Sequence, residues 1–181
     1  VSTIRIWTIG HSNRSLEAFL ALLEEAAIRR VVDVRRIPAS RRHPHFTRRA
    51  LARALLAGGL HYRHMAALGG RRPAPASLPA EVLGLADPGL RAYASWMQGD
   101  DFACALERLR ELARTARTAV LCAEADPYRC HRALLADALT ARGVEVWHIL
   151  APGRVVPHRP TPAAEIRDGR VVYPSRQIDL L

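Results

Sequence analysis

The residues best equipped for chemistry lie in one stretch, Ala119-Val-Leu-Cys-Ala-Glu-Ala-Asp-Pro-Tyr-Arg-Cys-His-Arg132. An apolar run of strand character, Ala119 to Cys122, stops at Glu124, turns through Asp126-Pro127 and resumes as a helix beginning near Cys130. Two thiols, a carboxylate, an imidazole and two guanidiniums therefore crowd one strand-to-helix junction. In open α/β sheets, ligands bind beyond the carboxyl ends of the strands, and the first turn of the following helix offers free N–H groups to an anion.

Three chemistries fit these residue types. In the first, a cysteine at a strand-to-helix turn is held as thiolate by amide dipoles and arginine. A tyrosine-phosphatase cradle would need arginine where Tyr128 stands, and a rhodanese-type loop would need it at Pro127. Cys122 reads as a small apolar residue closing a buried strand, whereas Cys130, at a helix start, is better placed for a lowered pKa. The second is metal binding by Cys122, Cys130 and His131 with His11 or His148. Seven residues between the two cysteines match no standard zinc spacing, so no metal ligand is assigned, and the sequence names no cofactor. The third is acid–base work on an anionic substrate. Glu124 or Asp33 would carry the proton, His11 or His131 would be the second group, and Arg14, Arg35 and Arg132 would clamp the anion, since a guanidinium holds phosphate at two points. Tyr62 and Phe46 could stack on a base, although both types more often pack in cores.

Positioning such groups takes alternating strands and helices. Ile4 to Ile9 reads as a first strand closed by Gly10-His11-Ser12-Asn13-Arg14. Ser15 then caps a helix carrying Leu16, Phe19, Leu20 and Leu23 on one face. Val31 to Val34 is a short buried strand interrupted by Asp33, whose carboxylate must be paired or hydrogen-bonded there. Arg35 to Arg49 is the densest positive charge in the chain, and Pro38 and Pro44 keep it a loop until about Thr47. A helix around Leu51 and Leu55 ends at Gly58-Gly59, Leu60 to Arg63 makes a third strand, and an Ala/Pro-rich excursion runs to Pro88. Helices follow at Leu90 to Met97 and after Asp101. Then come the Ala119 strand, the helix Arg132 to Arg142, and a fifth strand, Val144 to Ile149. Arg167-Asp-Gly-Arg170 marks a hairpin between Glu165-Ile166 and Val171 to Tyr173.

The pattern predicts one α/β domain over 1–181, a three-layer sandwich on a mainly parallel five-stranded sheet, with 151–181 as an extension packed on it as a small ribbon. A strand order 3-2-1-4-5 would set the Gly10 and Glu124 loops beside the topological switch point and gather His11, Arg14, Glu124 and His131 in one crevice. The net charge of +10, carried by 27 basic residues that are all arginine, favours an anionic partner such as a nucleic acid or nucleotide. The absence of lysine reads as codon bias, so arginine at a given position is not itself a phosphate signal. Three cysteines suit a reducing compartment, and neither a long apolar run nor a basic leader is readable, so the expectation is a cytoplasmic protein off the membrane.

Several of these stretches occur together in order. Thr8-Ile9-Gly10-His11-Ser12, Val32-Asp33-Val34-Arg35 with Pro38 and Ser40, Tyr62 with Leu68-Gly69-Gly70, and Cys122-Ala-Glu with Cys130-His131-Arg132 resemble the uncharacterised bacterial family known as domain of unknown function 488. The resemblance spans about Ile4 to Leu150. It implies a small α/β domain whose polar loop residues form a common site, and it supplies no reaction. Together, these readings lead to an enzyme acting on a phosphate-bearing substrate. Its catalytic candidates are Glu124, His131, His11, Asp33 and Cys130. Its binding candidates are Gly10, Ser12, Arg14, Arg35, Ser40, Tyr62, Gly69, Gly70, Cys122 and Arg132. The alternatives are a non-catalytic nucleic-acid-binding module using the Arg35 to Arg49 loop and a thiol redox protein using Cys122 and Cys130.

Overall fold

The computed structural model describes residues 3–175. Strands β1 (Arg5–Gly10), β2 (Arg30–Asp33), β3 (His61–His64), β4 (Thr118–Cys122) and β5 (Glu145–Ala151) pair in parallel, and β6 (Arg154–Pro157) adds an antiparallel edge to β5. The order is β3-β2-β4-β1-β5-β6. This corrects the expected 3-2-1-4-5, because β4 inserts between β1 and β2. Both β1 and β4 are apolar and buried, so either could occupy the centre, and local sequence does not rank them. The sixth strand was not expected. Gly153, at φ 66°, supplies the tight turn that folds Arg154–Pro157 back along β5, and Pro157 is tolerated because it lies on an edge.

Helices cover both faces, as a three-layer sandwich requires. Side chains alternate along each strand, so Trp7 and Ile9 of β1 meet α1 (Leu16–Glu25) and α2 (Arg48–Ala57) through Phe19, Leu23, Leu51 and Leu55. Ile6 and Val120 face the opposite core, made with α3 (Pro88–Trp96), α4 (Asp100–Thr115) and α5 (Arg132–Thr140). Ser15 caps α1 by accepting from the Ala18 amide at 3.1 Å, as its position predicts. α4 starts at Asp100 behind Gly99, so Asp101 sits in the first turn rather than at the cap.

The chain end forms the expected ribbon, β7 (Glu165–Arg167) with β8 (Arg170–Val172). Tyr173 beyond it is buried and donates its hydroxyl to Asp137 of α5 at 3.0 Å. Asp137 also accepts from His158 and from the Thr161 amide, and His158 bonds to His148, which bonds to Thr8. This buried polar chain pins the extension to the sheet. Among the described residues, no helix is long and apolar enough to cross a membrane.

Candidate functional site

Loops after β1 and β2 lead to α1 and α2 on one face, whereas the loop after β4 leads to α5 on the other. The chain thus parts at the carboxyl ends of β1, β4 and β2, and a crevice of about 480 Å³ opens there. Of the predicted residues, His11, Arg35, Ser40, Gly70, Cys122, Glu124, Cys130 and His131 line it.

The crevice is built by close backbone packing. His11 and Ser12 donate their amides to the carbonyls of Cys122 and Ala123 at 3.0 and 2.8 Å, so the β1 loop is tied to the β4 loop. A Cβ on Gly10 would stand 1.7 Å from the Glu124 carbonyl oxygen, and one on Gly70 would stand 2.3 Å from His131 Nδ1. Both glycines are therefore required by contact between loops, not by approach of a ligand. Gly69 likewise abuts the Val34 carbonyl and Arg36.

Five further predicted residues act from behind the crevice wall. Asp33 is wholly buried and takes hydrogen bonds from the Arg35 amide (3.0 Å), Arg35 Nε (2.9 Å), Arg35 Nη2 (2.6 Å) and the Tyr62 hydroxyl (2.8 Å). Its acceptors are occupied, so it orients Arg35 instead of moving a proton. Tyr62, whose own hydroxyl is made less acidic first by burial and then by Asp33, completes that cluster. Arg14 bridges the carbonyls of Gly10 and Leu150, and Ser12 takes a left-handed turn at φ 50°. Arg132 is 1% exposed and donates through Nη2 to the Glu124 and Ala125 carbonyls at 3.0 and 3.1 Å. The basic loop is anchored in the same way. Phe46 is buried, stacks on His11 at 4.5 Å and gives its carbonyl to Arg35 Nη1, while Ser40 accepts from the His43 amide.

What remains open to a ligand is cationic. Besides Arg35, three arginines outside the named site candidates line the crevice: Arg36 of the basic loop, Arg71, and Arg129 of the strand-to-helix stretch. The Arg71 and Arg129 guanidiniums make no hydrogen bond among the described residues, and nothing in the sequence marks them apart from the other arginines. The lining carboxylates are Asp87 and Glu124. Asp87 caps α3 by accepting from the Leu90 amide at 2.8 Å, whereas the Glu124 carboxylate has no partner among the described residues.

Burial sets the histidines. His11 and His131 are each pushed down to about 4, chiefly by desolvation. His11 Nδ1 meets the Ser12 carbonyl at 2.9 Å and so carries its proton, which leaves Nε2 as the lone-pair nitrogen. His148, in the polar chain, falls to about 3. With folded values below the unfolded 6.5, all three bind fewer protons folded than unfolded. Their stabilisation is complete above pH 6.5 and is lost as pH falls toward 4. The thermal midpoint should therefore drop between pH 6.5 and 5, above the carboxylate range, and H131N should drop less. A midpoint flat across that window would contradict the neutral imidazoles.

The two thiols are in contact, with Sγ–Sγ 3.0 Å. Their hydrogen bond pulls the Cys122 thiol below its ordinary value, while the same bond, then burial, pushes Cys130 up. This reverses the expected ranking. The helix starts at Arg132 with His131 at its cap, so extended Cys130 (φ −144°, ψ 152°) stands just ahead of the first turn, where its carbonyl accepts from the Ala133 amide at 3.1 Å. Among the described residues, no group of three or more His, Cys, Asp or Glu is placed to hold a metal.

Fold and crevice together define a doubly wound α/β domain with a cationic site at the carboxyl edge of its sheet. The family model described as domain of unknown function DUF488 matches residues 15–139, and the chain belongs to that family. No curated protein and no solved structure matches it.

Proposed function

We propose that this protein is a cytoplasmic enzyme acting on a phosphate-bearing substrate, a nucleotide or a nucleic-acid strand, held in the crevice. The observation that carries this reading is the pair of guanidiniums without a hydrogen-bond partner among the described residues, Arg71 and Arg129, in a crevice also lined by Glu124, whose carboxylate is likewise unpartnered among them. The arginines bind and orient the phosphate by charge-assisted hydrogen bonds. Glu124 accepts the proton in the reaction, and neutral His11 offers Nε2 as the second acid–base group. Changing Arg71 and Arg129 together to glutamine is expected to weaken binding of a 5′-phosphorylated nucleotide or strand by about 10²–10⁴-fold, since hydrogen bonds to charged groups are each worth roughly 1.5–3 kcal/mol. Isothermal titration checks this, and unchanged affinity would overturn the crevice as the phosphate site.

A second reading, a non-catalytic nucleic-acid-binding module, has one observation in its favour. Arg36 is shared between the crevice and a cavity of about 890 Å³ that also holds Arg72 and Arg108. That cavity shares Arg63 and His64 with a third, of about 530 Å³, lined by Arg48 and Arg49. A polyanion could follow this arginine path, and its affinity would fall steeply with salt. The two readings separate at Glu124, which a binding module does not need.

A further inference from the structure

We infer that Cys122 and Cys130 are a reversible dithiol–disulfide couple in the crevice floor, oxidised by a hydroperoxide. The inference rests on the thiols and Arg132 and does not depend on the substrate reading. The sulfurs lie 3.0 Å apart, so a small approach brings them to the bonded distance of about 2.05 Å. Arg132 behind them is 1% exposed, and its Nε and Nη1 are buried with no hydrogen-bond partner among the described residues. A guanidinium keeps its charge when buried, and Arg132 has no ion pair among the described residues. An uncompensated buried cation is costly. The balancing anion is the Cys122 thiolate, and Arg132 favours the ionised form of both cysteines.

The remaining proton is on Cys130, whose sulfur also lies 3.4 Å from His131 Nδ1. Burial keeps that imidazole neutral, so its ring nitrogen can accept a hydrogen bond from the thiol. The chemistry then balances in two steps. The Cys122 sulfur attacks one oxygen of the hydroperoxide. An S–O bond forms, the O–O bond breaks, and the departing alkoxide takes a proton from water to leave as the alcohol. Sulfur is oxidised to a sulfenic acid while the peroxide is reduced. The Cys130 sulfur next attacks that of Cys122. The S–S bond forms, the S–O and S–H bonds break, and hydroxide leaves with the Cys130 proton as water. The disulfide closes the loop carrying Glu124 and removes the anion that balances Arg132, so crevice charge and thiol state are coupled.

The test treats the whole protein with hydrogen peroxide and follows each cysteine by alkylation and peptide mass spectrometry, with exposed Cys104 as the internal reference. The expected result is a Cys122–Cys130 cross-link, reversed by dithiothreitol, formed faster than Cys104 is oxidised. C130S should stop at a sulfenic acid on Cys122 that dimedone traps, and R132M should slow the first step by about tenfold or more by removing the cation that favours thiolate. Cys122 and Cys130 remaining thiols while Cys104 is oxidised would overturn the inference in the wild-type protein, whether or not any variant folds.

Discussion

Asp33→Ala is expected to lower folding stability by about 3–5 kcal/mol, the range for removing one partner of a buried ion pair. Asp33 is 0% and Arg35 8% exposed, so the deletion leaves a guanidinium in the protein interior with nothing to balance it. The loss should not be repaired by water, because the same space is packed by Tyr62 and by the Phe46 segment. For a chain of this size, roughly 2–4 °C per kcal/mol makes the fall in thermal midpoint easy to read. Tyr62→Phe removes one hydrogen bond to the same carboxylate and should cost only about 1 kcal/mol. Arg35 also holds the Phe46 carbonyl, and the Phe46 ring packs on His11. The Asp33 variant should therefore loosen the crevice and weaken phosphate binding along with the fold. Denaturant unfolding decides the matter: a change under about 1 kcal/mol would mean that the pair is solvated and contributes little.

Much of the framework was legible in the chain because it rests on local rules. Ser15 stands where a helix needs an acceptor, Gly143 stands at a positive φ just past α5, and Asp168-Gly169 supplies the two left-handed residues of the hairpin turn. Strand order is not local. β1 and β4 are equally buried, and their neighbours are chosen by how helices stack on each face. β6 escaped notice because the stretch beyond Pro152 is rich in Pro, Arg and His, although a turn at Gly153 returns an edge strand.

The candidate site was legible in its polar types and less so in their roles. Arg132 reads as an anion clamp, yet every residue of α5 from Arg132 to Leu139 is buried, so its side chain turns inward under the β4 loop. Arg71 and Arg129 face the crevice and look no different in sequence from their neighbours, because only burial and pairing separate one arginine from another. Gly10 and Gly70 read as binding candidates, and the atoms packed against them belong to Glu124 and His131. Asp33 announced itself as a carboxylate in an apolar strand, and the required partner proved to be two residues away.

The largest effect on function is expected at Glu124. Its backbone is immobilised by Arg132 and by contact with Gly10, so the carboxylate is presented from a fixed loop into a site dominated by positive charge. A carboxylate held this way, without a partner among the described residues, is free to take a proton from a bound substrate. Glutamine keeps the shape and the hydrogen-bonding capacity but removes the basicity. Glu124→Gln should lower turnover by about 10²–10⁴-fold, the usual contribution of a positioned general base. Affinity should hold or rise slightly, because the substitution withdraws a negative charge from an anion site.

The decisive measurement compares wild type and E124Q against mononucleotides, 5′-phosphorylated single strands and duplexes, with products detected by mass spectrometry and binding measured by titration. The account predicts a phosphate-bearing compound that wild type converts and E124Q binds equally well but leaves intact. Equal conversion by both proteins, or binding by both with no conversion by wild type, would contradict it.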